Sequence, residues 1–271
     1  MRSRAADLVR DPAVAGTFYP ADPEALRRGV RTYLEQGRSR LRESGGVAPK
    51  ALIAPHAGYV YSGPIAGSAY ATLEALPDRI ERVVLMGPSH RVAFRGLALS
   101  SAALWHTPLG DVPLDRAGAA ELEKLPQVRV FDAAHVDEHS LEVQLPFLQE
   151  ALGSFQLLPL VAGDAPPQEV AQVLERGWGG PETLIVISSD LSHYHDHAVA
   201  RTLDGATTAA LEALRPEGLD EDSACGRVPV RGLLVGARAH GLTARTLDLR
   251  NSGDTAGPRD RVVGYGAYVF A

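Results

Sequence analysis

Three short apolar runs, each ending in a loop that carries a histidine, constrain this chain more than any other feature. Residues 51–54 run into Pro55-His56-Ala57-Gly58-Tyr59, and residues 83–86 into Gly87-Pro88-Ser89-His90. Residues 184–187 run into Ser188-Ser189-Asp190-Leu191-Ser192-His193. Runs this short and continuously apolar read as strands buried on both faces. Helical patterns at 22–36, 62–76, 115–125, 138–152, 167–176, 198–214 and 230–240 alternate with these runs and with further strands at 96–100 and 157–161. That alternation predicts an α/β fold: a central, largely parallel mixed sheet with helices on both faces. Residues 243–249 and 262–270 alternate in polarity and read as a late, antiparallel strand pair. In open sheets of this kind ligands sit beyond the carboxyl ends of the strands. The three histidine loops are therefore expected to meet on one edge, although no two are adjacent in sequence.

Residues 1–11 read as an N-terminal tail, 37–46 as a polar linker, and 12–271 as one domain. Hydrophobic residues make up 45% of the chain, too many for a disordered one. With 27 basic and 33 acidic residues the formal charge is −6, which argues against charge-driven nucleic-acid binding. No stretch approaches the ~20 apolar residues of a membrane span. One cysteine excludes an intrachain disulfide, and a cytoplasmic setting is expected. P-loop and Gly-x-Gly-x-x-Gly patterns are absent.

Loop histidines are commonly surface residues. Three at equivalent places in the topology make a shared metal or catalytic site the competing reading. In the run His193-Tyr194-His195-Asp196-His197 the residue nearest the strand end, His193, is the candidate. His195 and His197 read as solvated residues entering a helix. His139 and Glu142 either point into a site or cap and solvate their helix. Cys225 is either an inert buried thiol or a nucleophile or soft metal ligand. Arg91 and Arg95, which follow His90, are the only nearby candidates for holding a phosphate, and the stronger reading of both is a solvated loop.

A set of motifs in one order then narrows the choice. They are Ala13, Gly16, Phe18-Tyr19-Pro20, Ala54-Pro55-His56-Ala57-Gly58-Tyr59 with Tyr61-Ser62-Gly63, and Gly87-Pro88-Ser89-His90. Glu138-His139-Ser140-Leu141-Glu142-Val143-Gln144-Leu145-Pro146-Phe147, Ser188-Ser189-Asp190-Leu191-Ser192-His193, Cys225-Gly226 and Gly264-Tyr265 complete the set. The chain resembles the Memo family, whose bacterial and archaeal members are called AmmeMemoRadiSam system protein B. The resemblance implies a fold similar to the catalytic subunit of class III extradiol dioxygenases. It implies one bound metal ion, iron or copper before zinc, on His56, His90 and Cys225. It also implies an acid/base His193 with Asp190 beside it. Tyr61 is expected to donate a proton or hydrogen bond.

The cysteine stands where the dioxygenases carry a glutamate, and a thiolate is softer than a carboxylate and easily oxidised. The leading expectation is a metal-dependent redox protein or enzyme acting on a small molecule. The alternatives are a non-catalytic module binding peptides or phosphotyrosine in a vestigial dioxygenase pocket, and a metal-dependent hydrolase. AMMECR-type and radical S-adenosylmethionine proteins are the partners the resemblance implies.

Overall fold

Each histidine-bearing apolar run is a strand in the computed structural model, which describes residues 8–44, 48–74, 76 and 79–271. In chain order the strands are β1 (Val9–Arg10), β2 (Ala51–Ala54), β3 (Arg82–Pro88), β4 (Leu97–Leu99), β5 (Leu104–Thr107) and β6 (Gly110–Pro113). They continue with β7 (Val128–Val130), β8 (Gln156–Ala162), β9 (Thr183–Ser188), β10 (His193–His195), β11 (Ala244–Asn251) and β12 (Val262–Phe270). The helices are α1 (Pro23–Ser44), α2 (Tyr59–Tyr70), α3 (Arg116–Leu122), α4 (Leu145–Leu152), α5 (Pro167–Arg176), α6 (His197–Glu212) and α7 (Arg227–Ala239).

The main sheet has the order β10-β12-β2-β9-β3-β8-β4-β7, with β11 paired to β12. Its centre, β2-β9-β3-β8, is parallel. Its flanks are antiparallel where β12 meets β2, β10 and β11, and where β4 meets β8. Alternate side chains feed two cores: Val83 and Leu85 of β3 face one, Val84 and Met86 the other. Leu26, Val30 and Leu34 of α1 pack in the first core with α2 and α4. Val170, Val173 and Leu174 of α5 pack in the second with α3, α6 and α7. This is the expected α/β sheet with helices on both faces. Because β9 lies between β2 and β3, the loops leaving those three strands share one edge.

Several local expectations are corrected. Asp22 caps α1 as its sequence suggests, accepting the Ala25 N–H at 2.7 Å. The helix then runs through residue 37, where a linker is expected, to Ser44. Gly37 is a crossing point: a Cβ there would lie 2.3 Å from the Gly67 carbonyl oxygen of α2. Residues 45 and 46 of that linker lie outside the described residues. The helix expected over 138–152 is a loop, a 3₁₀ turn (Glu142–Gln144) and then α4. Pro146 lacks an N–H and suits a first helical turn, which is where it sits. His139 is thus a loop residue. Residues 193–195 form strand β10, and Asp196 caps α6 by accepting the Ala198 and Val199 N–H groups. Within the expected tail, Val9–Arg10 is strand β1, in a small sheet with β5 and β6; residues 1–7 lie outside the described residues. No helix among the described residues is long and apolar enough to cross a membrane.

Candidate metal centre

His56, His90 and His139 meet at the carboxyl edge of the parallel strands, each offering one ring nitrogen within 4.8 Å of the others. The rings of His90 and His139 stack at 4.7 Å, and His56 stands edge-on to both, at 5.1 and 5.5 Å. Hydrogen bonds behind them fix two tautomers. The Ser188 hydroxyl donates its one proton to the Ser140 carbonyl at 2.6 Å and accepts from Gln144 Nε2 at 2.8 Å. His56 Nδ1, 2.9 Å from the same hydroxyl, must therefore be the donor, which leaves Nε2 with a bare lone pair. His90 Nδ1 lies 2.9 Å from Glu138 Oε1. Burial alone would raise the Glu138 carboxyl. The hydrogen bond and charge of His90 outweigh that, with the His90 and Ser140 N–H groups, and bring it down to about 2. An ionised carboxylate only accepts, so His90 also carries its proton on Nδ1 and presents Nε2.

His139 is held at 4.8 Å against the Phe18 ring. Its Nδ1 is buried with no hydrogen-bond partner among the described residues, and Glu138 Oε1 lies 3.5 Å away. Burial lowers its protonation to about 4, against a smaller opposing pull from Glu138. Burial, and then the neighbouring His90, His139 and His193, also push His56 well below the usual histidine range. Both rings are neutral at physiological pH, as a metal ligand must be.

Cys225 stands at the His56 side of this cluster, its Sγ 3.2 Å from His56 Nε2. The Asp190 N–H donates to the sulfur at 3.3 Å. Gly226 allows this approach: a Cβ there would lie 2.6 Å from the Ser189 side chain. Burial, with the charge of Asp190, pushes the thiol well up. Without a cation beside it the sulfur stays protonated. The Asp190 carboxylate accepts the His56 N–H at 2.7 Å, and burial raises it to about 7.

A cavity of about 850 Å³ opens over these groups. His193, Tyr61, Tyr265, Arg91 and Arg261 also line it. His193 Nδ1 lies 2.8 Å from the Leu191 carbonyl, so Nδ1 donates and Nε2 is bare. The Leu191 carbonyl, and not Asp190, orients this ring. The next residue, Tyr194, has φ +65°, a left-handed conformation rare outside glycine, at the point where β10 slips register against β12. Arg261 sits 4.5 Å over the Tyr194 ring and braces the bulge.

A Memo-like protein family model matches residues 10–269. The chain belongs to the Memo family. It is 39% identical to a MEMO1 family protein of Aquifex aeolicus and 38% identical to one of Ignicoccus hospitalis. Each alignment covers 97% of this chain and 99% of the relative. A crystal structure of an uncharacterized Escherichia coli K12 protein shares the fold, with a TM-score of 0.51 at 15% identity over 81% of this chain and 98% of that one.

The Memo motifs thus fall together in space. His56, His90, Cys225, Asp190, His193 and Tyr61 all line the one cavity. The tight ring-nitrogen cluster is His56, His90 and His139, with the Cys225 sulfur joining it through His56. A metal ion fits this donor set, because three ring nitrogens lie within 4.8 Å of one another, hydrogen bonds fix two of the tautomers, and the buried His139 Nδ1 has no hydrogen-bond partner among the described residues. His139 was legible only as an alternative. Glu142, its companion in that alternative, turns away to Arg10. Tyr59 packs, donating its hydroxyl to the Val143 carbonyl. His197 pairs with Asp254, while His195 reaches the cavity rim.

Proposed function

We propose that this Memo protein is a metal-dependent redox enzyme acting on a small molecule bound in the cavity. The carrying observation is the convergence of His56, His90 and His139 on one point beneath that cavity. These rings would hold the ion, with Cys225 as a further ligand once deprotonated. Iron or copper suits a histidine-rich set with one soft sulfur. A bound ion of this kind supplies electron transfer or polarises a ligand oxygen.

The remaining work belongs to the chain's own side chains. His193 Nε2, bare and facing the cavity, takes a proton from the substrate, and burial keeps the ring neutral and ready to accept it. Asp190, raised to about 7, holds or releases a proton near neutrality beside His56. Tyr61, exposed at the mouth, offers a hydroxyl to the substrate. A cytoplasmic setting with AMMECR-type and radical S-adenosylmethionine partners completes the proposal.

The test loads the protein with Fe(II) or Cu(I) without oxygen and follows metal oxidation after air is admitted. Wild type is expected to oxidise its metal, with O2 taking up the electrons. His193→Ala should keep its metal content and slow that oxidation. Tight binding of zinc alone, with hydrolysis of an activated ester and no oxidation of loaded Fe(II) or Cu(I), would overturn the redox reading in favour of a hydrolase.

A further inference from the structure

A second cavity, of about 710 Å³, shares no residue with the first. It too lies beyond the carboxyl end of a parallel strand, here β8, where the chain turns into α5. Its walls carry Arg95, Gln127, Arg129, Asp164, Glu169 and Arg231. A short backbone ladder makes the frame rigid. The Gly96 N–H donates to the Asp164 carbonyl at 2.9 Å, the Asp164 N–H to Phe94 at 2.8 Å, and the Gly163 N–H to Gly96 at 2.9 Å.

The three arginines come from three different elements and converge here. Among the described residues none is within ion-pair distance of a carboxylate, although Asp164 and Glu169 line the same cavity and the chain as a whole carries a charge of −6. Arg129 is instead held 4.7 Å over the Phe131 ring, a contact that fixes the guanidinium without neutralising it. Arg231, on α7, is part-buried in the cavity wall, and its Nε has no hydrogen-bond partner among the described residues. At the same place α5 starts at Pro167 with no side-chain cap, and Glu169 of its first turn lines the cavity. Three guanidinium forks lining one cavity without ion pairs match an oxyanion with several equivalent acceptor oxygens.

We infer that this cavity is an anion site for a phosphate group, separate from the metal centre, with Arg231 and Arg95 as its principal ligands. The phosphate group is either the free ion or part of a small phosphate monoester.

The experiment is isothermal titration of the full chain with inorganic phosphate, and in parallel with glycerol phosphate, at constant ionic strength held with chloride. Wild type is expected to bind at least one of the two, and the tighter ligand identifies the source. Arg231→Gln, and separately the exposed Arg95→Ala, should each weaken binding by ~10-fold or more. His90→Ala should bind phosphate as wild type does, because the metal centre is not involved. Should Arg231→Gln unfold, Arg95→Ala alone decides. The inference is overturned by three results: no phosphate-specific heat in wild type, binding unchanged in Arg95→Ala, or binding lost in His90→Ala.

Discussion

One seven-residue stretch, Glu138 to Gln144, serves two buried polar clusters that behave in opposite ways. Glu142 sits in a closed knot. Its carboxylate takes the Arg10 guanidinium at 2.9 Å, the Ala13 and Val14 N–H groups at 2.7 and 3.0 Å, and the Tyr19 hydroxyl at 2.6 Å. Arg10 spends its other donors on the His135 and Glu138 carbonyls. Every strong group there is consumed within the protein. Four residues earlier, Glu138 anchors His90, and the cluster it supports ends in ring nitrogens that face a cavity. Both clusters bear the cost of burying polar groups. The knot recovers it internally and fastens the N-terminal segment to the loop that carries His139. The histidine cluster leaves lone pairs over, and those are what an external ion can use.

The largest effect that breaks this contrast is expected in the knot. Glu142→Ala leaves the Arg10 charge buried and unpaired and should destabilise the fold by about 3–5 kcal/mol in urea unfolding. A change below 1 kcal/mol would mean that the knot is not closed.

Next comes the one open atom at the edge of the knot. His135 donates Nε2–H to the Ala98 carbonyl at 3.1 Å, while its buried Nδ1 has no partner among the described residues. Burial lowers its protonation to about 4. A histidine depressed in the fold contributes stability above its unfolded value near 6.5, and that stability is lost as pH falls toward 4. The loss from this residue is on the order of 3 kcal/mol. Melting curves between pH 7 and 4 should be steeper in pH for wild type than for His135→Gln. Equal slopes would refute it.

The smallest effect sharpens the comparison at Glu138, which supports the open cluster from behind. Glu138→Gln keeps the shape and removes the charge that receives His90 Nδ1–H. Metal affinity is expected to fall by ~10–100-fold in a competition titration, while the cavity residues stay in place. Unchanged affinity would show that His90 needs no carboxylate to hold its tautomer.

The fold was largely legible because apolar runs that end in loops carry their own meaning. Strands β2, β3 and β9 and the position of His56 and His90 beyond them follow from local sequence alone. What was not legible depends on distant partners. His139 enters the site because Ser140 donates to the Pro88 carbonyl and Gln144 to the Pro55 carbonyl, contacts that span 52 and 89 residues. Its segment also looks helical until Pro146 is placed in the first turn of α4. The sheet β1-β5-β6 has strands of two to four residues, too short for periodicity to reveal. Cys225 was readable as a candidate, but its approach to His56 rests on the close packing of Gly226 against Ser189.

Metal content decides whether the three converging imidazoles form a binding site. Wild type, His56→Ala, His90→Ala, His139→Ala and Cys225→Ala would be loaded without oxygen with Fe(II), Cu(I) or Zn and analysed by mass spectrometry. The expected result is stoichiometric metal in wild type and its loss in all three histidine variants, with weakened retention in Cys225→Ala. Wild type without metal under every loading, or full metal in His56→Ala and His90→Ala, would contradict the account.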